Sequence, residues 1–270
     1  MIIDSHTHIS KLPGTKFSED LQQNFSYLTS EMSEIGVDKC LLIAGFSDDG
    51  NLRPTTAEAI DFAKNTPNIS MVGSVDVLNY DQKYLLQLEE WLKDNKIVGI
   101  KLYTGYQHFY PADERCVPIY NLCIKYNKPV IFHTGDTLAG AVKNPKLKYA
   151  HPLNIDEVAT DFPELEIVIA HMGNPWLVDC AEVMYKNPNV YADISGLVVG
   201  DDLDTPYGDI MKQKIKDLIN YDSANFKLMY GTDWPLCPMD VYLKFVKTLD
   251  LTQDQQDKLF FKNAQTVFGI

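Results

Sequence analysis

The chain has no run of about 18 uncharged apolar residues, so no membrane-spanning helix is expected. It has no CxxC pair, and its five cysteines, Cys40, Cys116, Cys123, Cys180 and Cys237, stand apart and odd in number. That pattern argues against a disulfide framework and suggests small buried thiols in a reducing compartment. It lacks a basic segment, a long apolar segment and a cleavage site after the opening Met1-Ile2-Ile3, so no secretory leader is expected. Basic residues are scarce, with 24 Lys+Arg against 37 Asp+Glu and a formal charge of −13. No basic run could follow a phosphate backbone, which excludes nucleic acid as a partner. With 45% apolar and 23% charged residues the chain is neither disordered nor fibrous. At 270 residues it can bury a full core without disulfide or metal staples. The expectation is a cytoplasmic protein with a small-molecule substrate, no nucleic-acid or membrane partner, and homo-oligomerisation left open.

Short β-branched runs recur along the sequence: 2–9, 39–45, 69–76, 97–103, 129–135, 166–173, 190–196 and 227–235. Their starts lie 24 to 37 residues apart, the length of one strand–helix–strand unit. Amphipathic helices are predicted over 81–95, 113–126, 175–185, 209–220 and 253–268. In 81–95, Tyr84, Leu85, Leu88, Trp91 and Leu92 share a face. Eight strands alternating with helices predict an α/β fold with a parallel sheet. Eight units in this length favour a (β/α)8 barrel over an open doubly wound sheet, although periodicity alone does not separate them. No linker or composition shift divides the chain, so one barrel domain over 1–270 is expected. The one long irregular stretch is 135–154, and such loops are often functional.

The chemistry-bearing residues sit at the ends of the predicted strands. They are His6 and His8 on the first, Lys101 on the fourth, His133 on the fifth, His171 on the sixth and Asp233 on the eighth. In a parallel barrel these ends converge at one mouth, where active sites of this fold lie. Side chains two apart on a strand share a face, so the pair in His6-x-His8 can meet one ion. A third histidine and a carboxylate from other strands complete an N/O donor set with room for water, the pattern of a catalytic metal site. A lone buried histidine is usually a hydrogen-bonded core residue, and HxH alone is common; the ordered combination carries the inference.

These segments resemble the amidohydrolase superfamily, in its amidohydrolase-related branch of metal-dependent hydrolases and decarboxylases. The matching motifs are Ile3-Asp4-Ser5-His6-Thr7-His8, Gly99-Ile100-Lys101-Leu102, Phe132-His133-Thr134-Gly135, Ala170-His171-Met172-Gly173, Tyr191-Ala192-Asp193-Ile194-Ser195-Gly196 and Gly231-Thr232-Asp233-Trp234-Pro235, with Phe162-Pro163-Glu164-Leu165 leading into the fourth. They run in family order across essentially the whole chain. The resemblance implies a distorted (β/α)8 barrel with its metal site at the C-terminal mouth.

By that resemblance His6, His8, His133 and Asp233 bind a divalent metal. His171 either binds a second ion or contacts substrate or water beside the first. Zinc is the first choice because imidazole and carboxylate suit it; Mn2+, Fe2+ and Ni2+ fit the same donors, and one ion is favoured over two. Lys101 has three readings: a carboxylated lysine bridging two ions, an unmodified cation facing a substrate carboxylate or an oxyanion, or half of a structural ion pair. Asp233, His171 and Lys101 are the catalytic candidates. Asp233 would shuttle a proton, and His171 would orient water or stabilise the oxyanion.

The loop after the fourth strand is aromatic, with Tyr103, Tyr106, His108, Phe109 and Tyr110. Tyr103 and Tyr106 are expected to line a substrate pocket, and Trp176 and Trp234, beside His171 and Asp233, to wall it. Packing within the loop is the alternative for the tyrosines. Asp193 and Ser195 could hydrogen-bond the ligands. His151 and Asp4 read as structural, the latter needing a partner because a buried carboxylate is costly alone. The functional reading is hydrolysis of an ester, lactone or amide of a small substrate. The competing readings are a metal-dependent nonoxidative decarboxylase or hydratase of an aromatic or unsaturated acid, and a non-catalytic binding protein on the same fold.

Overall fold

In the computed structural model, which describes residues 1–12, 15–18, 20–46, 53–137, 143–199, 203–221 and 226–270, every predicted strand is present. They are β1 (Ile3–Thr7), β2 (Lys39–Ile43), β3 (Ile69–Ser74), β4 (Gly99–Leu102), β5 (Val130–Phe132), β6 (Ile167–Ile169), β7 (Val190–Asp193) and β8 (Leu228–Met229). Each pairs in parallel with the next, in chain order. The chain after β8 returns to β1: Ser5 N–H donates to the Tyr230 carbonyl at 2.9 Å, Asp233 N–H to His6 at 2.8 Å and His8 N–H to Trp234 at 2.7 Å. These bonds close the sheet into a (β/α)8 barrel, and the open doubly wound alternative does not hold.

Two apolar layers follow from strand alternation. Ile100, Leu102, Val130, Phe132, Ile167 and Ile169 pack outward under the helices. Leu41, Ile43, Val72, Ile131, Val168 and Met229 fill the barrel interior. Val267 and Phe268 join that inner layer, and Phe268 lies against Gly99 at the start of β4. The C-terminal helix therefore plugs the end of the barrel opposite the mouth.

The helices are α1 (Leu21–Ile35), α2 (Thr56–Ala63), α3 (Gln82–Lys93), α4 (Val117–Tyr126), α5 (Ile155–Asp161), α6 (Leu177–Lys186), α7 (Pro206–Tyr221), α8 (Met239–Lys247), α9 (Gln253–Asp257) and α10 (Asn263–Phe268). Side-chain caps satisfy first-turn N–H groups: Asp81 accepts from Tyr84 at 2.8 Å, and Thr55 with Glu58 forms a capping box before α2. Two predictions shift. Helix α6 starts at Leu177, since Trp176 N–H turns back to the Gly173 carbonyl. The single helix expected over 253–268 is interrupted by a π turn at Lys258–Lys262, which lets the Leu259 carbonyl accept the Tyr230 N–H at 2.8 Å. Of the irregular stretch 135–154, residues 138–142 lie outside the described residues, and two 3-10 turns, Leu147–Tyr149 and Pro152–Asn154, order its second half. All five cysteines are buried and unpaired. No helix among the described residues is long and apolar enough to cross a membrane.

Candidate metal centre

The pairing register of β1 shifts between Asp4 and Thr7. Ile3 belongs to the inner apolar layer, and past this irregularity His6 and His8, which have the opposite parity, also face the barrel axis. Alternation on β4, β5 and β7 then brings Lys101, His133 and Asp193 to the same end, and Asp233 reaches it four residues past β8 with left-handed backbone (φ 63°). His171 arrives by a different device. The chain after β6 makes a tight turn in which His171 (φ 58°) and Met172 (φ 46°) both adopt left-handed backbone, a strained conformation of the kind that clusters at functional sites.

Four histidines have one ring nitrogen committed to a group that can only accept, which assigns their tautomers. His6 Nδ1 meets Asp193 Oδ2 at 2.9 Å. His8 Nδ1 meets the Ile43 carbonyl at 3.0 Å, and His171 Nδ1 meets the Ser195 carbonyl at 3.1 Å. His133 Nε2 meets the Asp136 carbonyl at 2.9 Å. The committed nitrogen carries the proton in each case. The lone pairs of His6, His8 and His171 are therefore on Nε2, and that of His133 on Nδ1.

Asp233 Oδ1 lies 3.5 Å from His8 Nε2 and 3.8 Å from His6 Nε2. Two donors each about 2.1 Å from a shared tetrahedral ion are about 3.4 Å apart, so the three atoms fit one divalent cation. Burial pushes the His8 and His133 pKa values well below the ordinary range, helped by Arg53 at His8 and by His171 at His133. Burial, then His6, pushes His171 to about 4, against the pull of Asp233 and Asp193. Imidazoles held neutral are the form a metal requires. A second cluster, His6, His171 and Asp193, also has its donors within reach of one another. Hydrogen bonds already occupy it, since Asp193 Oδ1 accepts from the backbone of His171 (3.0 Å) and Ser195 (3.1 Å) and from the Ser195 hydroxyl. Burial alone would raise the Asp193 pKa; the attraction and hydrogen bond of His6, then the attraction of His171 and Lys101, overcome it and hold the group far below the carboxylate range.

His133 belongs to neither cluster, although its ring is 5.1 Å from that of His171 and it lines the same cavity. Lys101 is 1% exposed, with Nζ 3.4 Å from His6 Nε2. Burial lowers its pKa to about 8, against the attraction of Asp193 and Asp233. Asp4 accepts from Thr232 N (3.0 Å), Thr232 Oγ1 (2.7 Å) and His6 N (3.1 Å), so it ties β1 to the segment that carries Asp233. Burial outweighs these bonds and raises its pKa to about 7.

A cavity of about 340 Å³ opens over these groups, lined by His6, His8, Lys101, His133, His171 and Asp233. Tyr103 and Tyr106 also line it. The Tyr103 hydroxyl is tied to the Ala44 carbonyl at 2.6 Å, while the Tyr106 ring lies 4.6 Å from His133. The two tryptophans are corrected, since neither lines the cavity. Trp234 is 1% exposed; its ring packs on Phe17 at 5.1 Å and its Nε1–H donates to Glu31 Oε2 at 2.9 Å. The left-handed backbone of Asp233 (φ 63°) precedes it, and Trp234 lies in the outer apolar core. Trp176 packs against His151 at 4.5 Å. Sequence reasoning missed Arg53, Asp136, Asn174 and Tyr207, which line the cavity from loops and helix starts. Arg53, one of two arginines in the chain, has its guanidinium 5.8 Å from the Tyr103 ring, and Lys101 Nζ is 5.6 Å from that ring.

Comparisons with known proteins bear on the family and the fold. The sequence model described as amidohydrolase matches residues 3–270. No curated protein matches the sequence. Among solved structures, an uncharacterised TIM-barrel protein of Bordetella bronchiseptica is 23% identical with a TM-score of 0.75, over 99% of this chain and 98% of that one. A probable 2-pyrone-4,6-dicarboxylic acid hydrolase of Acinetobacter baumannii, solved with citric acid, is 17% identical with a TM-score of 0.69, over 100% and 99%. A 5-carboxyvanillate decarboxylase of Novosphingobium aromaticivorans, complexed with manganese and a nitrobenzoic acid, is 14% identical with a TM-score of 0.71, over 99% and 95%. At these identities the likeness establishes the fold.

Proposed function

The chain belongs to the amidohydrolase family, and from that premise we propose that it is a divalent-metal-dependent hydrolase of an ester, lactone or amide bond in a small carboxylate-bearing substrate. The observation that carries this reading is the approach of Asp233 Oδ1 to the unprotonated Nε2 atoms of His8 and His6. His6, His8 and Asp233 would hold the ion, with His133 and His171 adjacent; zinc is the first candidate for these donors. When bound, the ion supplies a Lewis acid that polarises the scissile carbonyl and lowers the pKa of water.

The protein's own residues do the rest. Asp233 accepts the proton of the attacking water and returns it to the leaving group. His171 presents a lone pair at Nε2, so as a neutral ring it orients water by accepting a hydrogen bond from it; stabilising the oxyanion falls to Lys101, whose ammonium is the nearby donor. We assign Lys101 as an unmodified cation, in keeping with its approach to a lone pair on His6. Arg53 and Lys101, both near the Tyr103 ring, would receive a substrate carboxylate, while Tyr103 and Tyr106 would flank its planar part. A cytoplasmic setting suits five unpaired cysteines.

Nonoxidative decarboxylation is the second reading. The tyrosine-lined wall and paired cations would suit an aromatic acid, and the solved decarboxylase cited above shares the fold. Incubating the zinc- or manganese-loaded protein in 18O-water with panels of lactones, esters and hydroxybenzoates separates the two. Hydrolysis places one 18O in the product and releases no carbon dioxide. Carbon dioxide release without 18O uptake overturns it.

A further inference from the structure

Asp193 ends β7 and does not reach the cavity, yet its two oxygens touch the elements carrying two of the site's histidines. Oδ2 accepts from His6 Nδ1 on β1 at 2.9 Å. Oδ1 accepts three donors: His171 N–H at 3.0 Å, Ser195 N–H at 3.1 Å and the Ser195 hydroxyl. The first of these holds the left-handed turn that brings His171 round to the mouth. With its one proton given to Asp193, the Ser195 hydroxyl can only accept from His171 Nδ1, 2.8 Å away. One buried carboxylate thereby sets the proton position on His6 and turns the Ser195 hydroxyl into a second acceptor, beside the Ser195 carbonyl, for His171 Nδ1–H.

We infer that Asp193 is a positioning residue that fixes His6 in the Nδ1-protonated tautomer, so that Nε2 is left to bind a cation, and that it holds the His171 turn at the same time. Two further observations bear on this. Lys101 Nζ, a donor, faces His6 Nε2 at 3.4 Å, where it needs a lone pair. The three donors on Oδ1 also make the carboxylate unsymmetrical. In Asp193→Asn they keep the amide oxygen at the Oδ1 position, and so the amide NH2 must face His6 Nδ1. His6 Nδ1 then has to accept, its proton moves to Nε2, and Nε2 ceases to be a ligand. A carboxylate that only filled space would impose no such reversal, since asparagine is nearly isosteric with aspartate.

The test has two readouts, and only the second rests on the proposed metal site. The first is the histidine tautomer map of the metal-free full-length protein from ring 15N shifts. His6 should be protonated at Nδ1 in the wild type and at Nε2 in Asp193→Asn. The second is Co2+ binding followed by visible absorption. Removing an outer partner of a ligand costs about 10- to 100-fold in metal affinity, and Asp193→Asn should weaken Co2+ by that factor. A wild-type His6 protonated at Nε2 overturns the inference, and that measurement decides the matter if the variant does not fold. A folded variant with an unchanged tautomer also overturns it, as does a changed tautomer with unchanged Co2+ affinity. If neither protein binds Co2+ while the tautomers change as described, the metal reading fails and the positioning role of Asp193 stands.

Discussion

Gly196 lies directly against Asp233: a Cβ placed on Gly196 would stand 3.1 Å from Asp233 Oδ2 and 3.3 Å from its Cβ. Gly196 also has φ +61°, a left-handed conformation that costs residues with a side chain. Gly196→Ala should therefore lower stability by about 1–3 kcal/mol and move Asp233 away from the histidines. Thermal unfolding should show a drop of about 2–4 °C per kcal/mol for a chain of this size. Turnover should fall by about tenfold or more, the equivalent of 1.4 kcal/mol in the transition state. Wild-type turnover in a protein with the lowered melting temperature would contradict the assigned role of Asp233.

Asp233→Asn keeps the shape and removes the proton acceptor. Loss of a positioned general base costs about 10²–10⁴ in rate. We expect kcat to fall within that range, with a far-UV circular dichroism spectrum unchanged from wild type.

Arg53→Gln should act mainly on binding. Losing a charge-assisted hydrogen bond of about 1.5–3 kcal/mol raises KM for a carboxylated substrate by about 10- to 100-fold. Methyl esterification of the same substrate should remove most of the difference between wild type and variant. An equal penalty with the esterified substrate would show that Arg53 does not meet the carboxylate.

The chelator-treated protein should become more stable as pH rises from 5 to 7. His8, His133 and His171 have folded pKa values lowered from the ordinary 6.5, His171 to about 4. Between those values the unfolded chain binds protons that the folded one does not, so stability is complete above pH 6.5 and is lost as pH falls. Asp4 acts in the opposite sense. Its folded pKa is raised from 3.8 to about 7, so its contribution is full below 3.8 and lost as pH rises toward 7. Three histidines outweigh one aspartate. Melting temperatures in EDTA at pH 5, 6 and 7 should increase, and a decrease would contradict the neutral state assigned to the histidines.

The sequence made some of this legible and left other parts obscure for identifiable reasons. The recurrence and spacing of short β-branched runs located all eight strands, and the residues at their C-terminal ends did converge. The register shift between Asp4 and Thr7 has no signature in a single sequence, because Asp4-Ser5-His6-Thr7 reads as an ordinary strand. The direction of Trp234 was hidden because Asp233 before it has left-handed backbone (φ 63°) beyond the end of β8, where strand alternation gives no direction. Arg53 was hidden because it follows β2 in a loop, where no periodicity indicates direction. The π turn at Lys258–Lys262 was hidden as well, since its cause is a tertiary bond to Tyr230.

The central claim is that His6, His8 and Asp233 hold one catalytic divalent ion. Its most direct test is to strip the protein with a chelator, titrate zinc or manganese back, and measure bound metal and activity together. Activity should return in proportion to metal and reach its plateau at about one ion per chain, with His8→Ala failing to recover either. Full activity in the stripped protein, or recovery by His8→Ala at the same stoichiometry, would contradict it.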